Sequence, residues 1–285
     1  MTGDYGALGR ALLPEGVLVA TALVVILCDL VWGRGRGRES RVQASVLLGL
    51  LGLVAACVIL WQEGVLGEVG SGALNLDFLA VAVRVGVVVL SGFSLLTLVG
   101  GNTRSQPAEY VALLLFATVG FLQMAAAQTL LLAFLGLELA SLSLYVLAGY
   151  DRTRPESAEA ALKYYLQGGV SAAVLLFGFS LLYGLTGSIG FREISLVLVS
   201  NPPGALGAVA VGMVLVAFGY KVAVAPFHLW APDVYQGAPT SSAALIASAS
   251  KLAGVALFWR LLWSGLGPTS GGVNLFSSGP GGWVL

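Results

Sequence analysis

Ionisable side chains within long apolar segments are the residues of this sequence best suited to chemistry. The chain has only three lysines, Lys163, Lys221 and Lys251, and each lies in an apolar segment. Glu138 is the only charged residue between positions 110 and 148. Amines and carboxyl groups that are shielded from bulk water exchange protons with one another or with internal water. The chemistry that this set predicts is therefore proton transfer.

The cost of placing these groups in a membrane strengthens that prediction. Each ionised side chain near the bilayer centre costs at least roughly 2.5–3.5 kcal/mol on insertion scales, so Glu138, Lys221 and Lys251 together cost on the order of 8–10 kcal/mol. Partner charges or internal water must offset this cost. Because the protonation of a carboxyl group depends on nearby cations, Glu138 is suited to act as a switch. The alternative is a static ion pair between helices.

Lys221 lies just before a predicted helix break. Pro226 removes a backbone donor and clashes with the preceding turn, so the helix should break or kink there. Broken helices at membrane depth line cavities or protein interiors and are common at ion sites. His228, the only histidine, is suited to relay protons between water and Lys221. The alternatives are a lysine that extends to the membrane surface and a histidine that caps or packs.

The other two lysines differ in their surroundings. Lys251 follows a run of serines and alanines that permits close helix approach, and a dry structural lysine is the alternative to a central relay. Lys163 lies four residues after Glu159, on the same helix face, so an interfacial ion pair explains it as well as a relay does. Three further charges lie near predicted span ends, where interfacial or packing roles suffice: Asp29, Asp77 and Arg84.

The composition indicates the class of protein in which these residues lie. The 285 residues are 58% hydrophobic and 10% charged, with a mean hydropathy of +0.92, whereas soluble domains carry about 25% charged residues. The net charge of zero excludes a basic nucleic-acid footprint. Cys28 and Cys57 stand alone in apolar runs, so we expect core residues and no metal or iron–sulfur site.

A hydrocarbon core of about 30 Å needs about 20 apolar residues per crossing. The segment 110–148 would be roughly 58 Å long as one helix, so a tight turn is expected near Gln128. The sequence predicts an all-α, polytopic transmembrane bundle of about eight helices, with one helix broken near Pro226, forming a single domain over 1–285. The predicted spans are 13–32, 43–61, 77–99, 109–126, 128–148, 158–184, 205–231 and 239–264.

Arginines orient this predicted bundle. They cluster in loops that should face the cytoplasm and that should leave the N-terminus outside the inner (plasma) membrane: Arg34, Arg36, Arg38, Arg41, Arg104, Arg152 and Arg154. Arg192 is a minor exception.

The run 33–38 superficially resembles a phosphate-binding loop, but it follows no strand, so a basic turn is the better interpretation. Residues 264–285 predict an outer loop and the start of a ninth helix in a fragment, with a flexible tail as the alternative.

At these residues the chain resembles the subunit N branch of the antiporter-like membrane subunits of proton-pumping NADH:quinone oxidoreductase, respiratory complex I. The resemblance covers nearly the whole chain. It rests on Leu13-Pro-Glu, Glu138, the segment from Glu159 to Tyr165, and above all KVAVAPFHLWAPDVYQGAPT from Lys221 to Thr240, followed by Lys251. Family members have about fourteen helices in two inverted repeats, and this chain would hold the first repeat and the start of the second.

The resemblance implies a role for each ionisable residue. Glu138 and Lys221 would form a coupled acid–base pair, Lys251 the central relay, and Lys163 and His228 further relay positions. It implies no cofactor in this chain, with NADH, FMN, iron–sulfur clusters and quinone bound by partner subunits, and contacts with other membrane subunits and lipid. The rival functions are a subunit of a multi-subunit cation/proton antiporter or membrane-bound hydrogenase, and a structural scaffold that pumps nothing.

Overall fold

The computed structural model describes residues 5–33, 35, 37–99, 106–201 and 204–266. Within these ranges, eight helical segments are long and apolar enough to cross a membrane. The all-α prediction is confirmed, since the strands found in the described ranges form one short hairpin. The arginines at 34, 36 and 104 and the segment 267–285, where a ninth helix was predicted to start, lie outside the described residues.

The elements follow one another in a simple order. Twelve α-helices and one hairpin are described: α1 (Tyr5–Ala11), α2 (Leu13–Trp32), α3 (Arg38–Glu63), β1 (Gly67–Val69), β2 (Leu74–Leu76), α4 (Phe78–Leu96), α5 (Pro107–Ala126), α6 (Leu130–Ala148), α7 (Pro155–Thr186), α8 (Phe191–Ser200), α9 (Gly204–Val222), α10 (Trp230–Gly237), α11 (Thr240–Ala247) and α12 (Ala249–Arg260). A π-helical turn, Leu261–Leu266, continues α12. The segment Thr240–Leu266 is the eighth span.

Helix α5 is the centre of the bundle. It packs against α2, α3, α4, α6 and α12, and most of its side chains are buried. A Cβ atom at Gly120 would lie 2.6 Å from the backbone nitrogen of Ala140, so the absence of a side chain lets α5 and α6 touch. Small residues at such crossings are the usual means of close packing between membrane helices. This contact fixes α6, which carries Glu138.

The connections cluster at two ends of the bundle. At one end, here called the hairpin end, β2 pairs with Ala127 and the adjacent Thr129 pairs with Gly190. The tight turn predicted near Gln128 is confirmed there, between α5 and α6. At the other end, here called the arginine end, Arg38, Arg41 and Arg152 line one polar pocket. The described arginine loops thus share one end, although which end faces the cytoplasm stays a prediction.

One predicted span was wrong in its extent. The span expected over 205–231 ends as a helix at Val222, and α10 begins only at Trp230. Ala223 adopts a left-handed backbone conformation with φ of 59°, and Pro226 in the following turn cannot donate a backbone hydrogen bond. The predicted break near Pro226 is therefore confirmed, and it is a complete interruption rather than a kink.

Two ion pairs, one buried and one partly exposed, tie helices together at the hairpin end. Arg84 of α4 donates to Glu15 of α2 at 2.5 Å, and both side chains are almost completely buried. Arg260 of α12 pairs with Asp77 at 2.5 Å and also donates to the carbonyl of Ala125. Asp77 additionally caps α4 by accepting from the Ala80 amide. These contacts agree with the packing roles expected for Asp77 and Arg84.

Candidate functional site

Lys221 lies at the end of α9, where the helix is interrupted. Its side chain is buried, and its Nζ donates to Ser141 Oγ at 3.0 Å. Ser141 follows Glu138 by three residues on α6, so both side chains point to the same face of that helix. Ser141 donates in turn to the carbonyl of Leu137. The ammonium group is therefore held inside the bundle and does not extend to the membrane surface.

Glu138 lies beside Lys221 without forming a direct ion pair in the described part of the chain. The two charges attract each other electrostatically, but the Lys221 ammonium group donates its hydrogen bond to Ser141. Oε1 of Glu138 is buried and has no hydrogen-bond partner among the described residues. A buried carboxylate oxygen without a protein partner is costly unless water or a proton satisfies it. The Glu138 carboxylate and the Lys221 ammonium group are therefore neighbours that are not held together by a direct ion pair.

Lys251 is joined to Lys221 through the interrupted backbone. Because α9 ends at Val222, the carbonyl of Lys221 lacks the partner that a continuing helix would supply. Lys251 Nζ donates to that carbonyl at 3.3 Å. The same ammonium group lies 4.6 Å from the ring centroid of Trp230, which provides a cation–π contact. The break thus creates the acceptor that brings the second lysine next to the first.

The structure places His228 and Lys163 away from this centre. His228 is exposed in the turn between α9 and α10, and its carbonyl accepts from the Ala231 amide. Lys163 is partly exposed and forms ion pairs with Glu159 at 2.7 Å and Asp233 at 2.5 Å. The ion pair considered for Lys163 is therefore present. Relay roles for both residues stay predictions.

Sequence reasoning missed three side chains that complete the site. Ser141 holds the Lys221 ammonium group, Trp230 lies under Lys251, and Asp233 binds Lys163. The spacing of three residues from Glu138 was the available signal for Ser141. Trp230 and Asp233 carried no such signal, because their positions depend on how the chain folds back after the break.

Proton transfer is the chemistry that this arrangement can support. An acid and two amines lie near one another on α6, α9 and α12. The Lys221 ammonium group is bonded to the Ser141 hydroxyl group, and the Lys251 ammonium group to the Lys221 backbone carbonyl. Such groups can pass protons when internal water links them. Among the described residues, no group of three histidine, cysteine or acidic side chains is placed to hold a metal ion.

The fold and this arrangement define a class of membrane protein. Residues 127–270 match the transmembrane family described as "NADH:quinone oxidoreductase/Mrp antiporter". This stretch is half of the chain and contains Glu138, all three lysines and the helix break. The chain belongs to this family.

Individual proteins with curated names are also similar to this chain. The chain is 41% identical to NADH-quinone oxidoreductase subunit N 2 of Acidobacterium capsulatum, over 99% of this chain and 58% of the relative. It is 37% identical to NAD(P)H-quinone oxidoreductase subunit 2 of Trichodesmium erythraeum, over 89% of this chain and 49% of the relative. The chain therefore spans about half the length of the curated relatives that it matches.

Solved structures agree with this placement. A chain in the structure of respiratory complex I from Thermus thermophilus with bound aureothin matches with a TM-score of 0.72 and 32% identity, over 87% of this chain and 52% of that chain. A chain of the membrane-bound sulfane sulfur reductase, an archaeal respiratory membrane complex, matches with a TM-score of 0.69 and 22% identity, over 84% and 51% of the two chains. The second match supports the fold alone.

Proposed function

We propose that this chain is part of a proton-translocating membrane subunit of an NADH:quinone oxidoreductase. Its task would be to move protons through a relay of Glu138, Lys221 and Lys251 while quinone is reduced elsewhere in the complex. The names of the relatives support this assignment over a cation/proton antiporter or a membrane-bound hydrogenase. The redox cofactors would belong to partner subunits, and the membrane would be the plasma membrane with the N-terminus outside.

The observation that carries the proposal is the arrangement of three ionisable groups around an interrupted helix, with Lys221 buried and Glu138 and Lys251 partly buried. None of the three is neutralised by a direct ion pair within the described residues. Lys221 is bonded to a hydroxyl group, Lys251 to a carbonyl group and an aromatic ring, and Glu138 keeps a buried oxygen unbonded. Groups held in this way can gain or lose a proton without breaking a salt bridge.

The proposed relay begins with a change in the distance between Glu138 and Lys221. Bringing the carboxylate closer favours the protonated lysine, and moving it away favours proton release towards Lys251. Moving one charge against 100 mV costs about 2.3 kcal/mol. A change of about two units in the pKa of one relay group corresponds to a comparable free energy. The interruption after Val222 would give Lys221 the freedom that this movement requires.

The test is the Lys221→Met substitution in the assembled complex in native membranes. Methionine keeps most of the side-chain volume and removes the charge, so we expect electron transfer to be measurable and coupled proton transport to fall sharply. Arg192→Met, which removes an exposed cation from α8, is the matched control and should pump like the wild type. Wild-type pumping by Lys221→Met would refute the proposal and favour a scaffold.

A further inference from the structure

A small internal cavity adjoins Lys221 on the side that faces α7. Its volume is about 10 Å³ of space for the centre of a water molecule, which is about what one buried water requires. Four of its polar lining residues come from three different helices: Ser141 and Tyr145 from α6, Ser171 from α7, and Lys221 from α9. The cavity therefore carries several polar groups within a largely apolar lining, and it is the right size for a single water molecule.

Hydrogen-bonding capacity remains on both sides of this cavity. The Lys221 ammonium group has three N–H donors, and one of them is bonded to Ser141. The Ser171 hydroxyl donates to the carbonyl of Ala217 at 3.2 Å, so its oxygen can still accept. A water molecule between the two could accept from Lys221 and donate to Ser171. Two to four polar partners are what buried waters normally have.

Aromatic side chains and one glycine shape this space. Tyr164 stacks on Trp230 with ring centroids 4.8 Å apart, and both residues line the cavity. A Cβ atom at Gly168 would lie only 2.1 Å from the hydroxyl oxygen of Tyr145. The absence of a side chain at Gly168 therefore lets the Tyr145 hydroxyl sit against α7, next to the cavity.

We propose that this cavity is a binding site for one water molecule that links Lys221 to Ser171 of α7. The water gives the Lys221 ammonium group a hydrogen-bond partner on the side of α7, in addition to Ser141 on α6. Ser171 acts as the positioning residue that orients the water. Lys221 then exchanges protons through a defined water and not through solvent that enters at random. This inference rests on the proposed relay.

The site can be tested by cryo-electron microscopy of the assembled complex at a resolution that shows ordered water, combined with proton-pumping assays. In the wild type we expect density within hydrogen-bonding distance of both Lys221 Nζ and Ser171 Oγ. The Ser171→Val variant removes the acceptor and fills the cavity, so the density should disappear. Its proton-to-electron ratio should fall most of the way to that of Lys221→Met.

Two further variants make the result unambiguous. Ser180→Val changes an exposed serine on the same helix, and it should keep both the water and the wild-type ratio. Ser171→Ala cannot overpack the core, so it serves if Ser171→Val does not assemble; its water density should weaken and its ratio should fall. Absence of the water in the wild type, or wild-type pumping by the Ser171 variants, would overturn the inference.

The outcomes separate this inference from the proposed function. If Lys221→Met stops pumping while the Ser171 variants pump normally, the relay stands and the water site does not. If Lys221→Met pumps like the wild type, the relay itself is refuted, whatever the density at Ser171 shows.

Discussion

Two groups of charges inside the helix bundle are held in opposite ways. At the hairpin end, Arg84 and Glu15 join two uninterrupted helices through a direct ion pair. Around the break in α9, Lys221 and Lys251 are held by a hydroxyl group, a carbonyl group and an aromatic ring, while one oxygen of Glu138 has no hydrogen-bond partner among the residues that the structure describes. Both groups lie among apolar helices, yet only the first neutralises its charges by direct contact.

The difference separates charges that hold helices from charges that can titrate. A buried ion pair fixes the protonation of both partners, since losing a proton from either side leaves an uncompensated charge. An amine that is bonded to a hydroxyl or a carbonyl group can change protonation at a smaller cost. The comparison therefore predicts that substitutions at the hairpin end affect stability, and that substitutions at the break affect proton transport.

The largest effect on stability is expected from Arg84→Met. Removing the arginine leaves Glu15 buried and unpaired, which should cost about 3–5 kcal/mol. The measurement is the temperature at which the subunit is lost from the detergent-solubilised complex. The double variant Glu15→Met/Arg84→Met should recover most of the loss, because apolar replacement of a whole buried pair is often neutral. It also removes two buried atoms that have no hydrogen-bond partner in the described ranges, Glu15 Oε2 and Arg84 Nε. A double variant as unstable as the single one would show that Arg84 stabilises the bundle by something other than its pair with Glu15.

A smaller effect is expected from Arg260→Met. This change removes the bond to the Ala125 carbonyl and the pair with Asp77, whose side chain is 41% exposed and can be hydrated. We expect a loss of about 1–3 kcal/mol in the same thermal assay. A loss as large as that of Arg84→Met would mean that exposure of the acidic partner does not matter.

A still smaller effect on stability is expected from Glu138→Gln. Glutamine keeps the shape of the side chain, and the wild-type carboxylate leaves Oε1 without a partner. The free energy of unfolding should therefore change by less than about 1 kcal/mol. If this variant is destabilised as much as Arg84→Met, Glu138 is a structural ion-pair residue and the two groups of charges are alike.

The smallest effect is expected from Lys163→Met. Its pairs with Glu159 and Asp233 are largely exposed and screened, so the thermal assay should detect no change. Glu159→Gln offers a matched control on the same pair. A clear loss of stability in Lys163→Met alone would show that this lysine fastens α10 to α7.

Hydropathy and proline chemistry were enough to predict most of the fold. Apolar segment length located all eight spans, and the limit on helix length located the turn at Gln128. Pro226 located the break, but the end of the helix at Val222 depends on the left-handed conformation of Ala223, for which alanine gives no local signal. The hairpin and the amphipathic α8 were missed because short elements in the connections between spans carry weak periodicity.

The sequence was enough to predict the charged residues of the site, but it did not predict which residues contact them. The cost of a charge in an apolar helix identified Glu138, Lys221 and Lys251 without any structure. The partners Trp230 and Asp233 could not be found in this way, since the chain must first leave α9 and return as α10. Glu15 was missed as the partner of Arg84 because the two are 69 residues apart in sequence.

The most direct test measures the proton-to-electron ratio of two variants side by side in native membranes. Glu15→Met/Arg84→Met removes two buried charges at the hairpin end, and Glu138→Gln removes a partly buried charge beside the break. We predict that the first pumps like the wild type and that the second loses most of its pumping while electron transfer continues. Normal pumping by Glu138→Gln, together with loss of pumping in the double variant, would contradict the central claim.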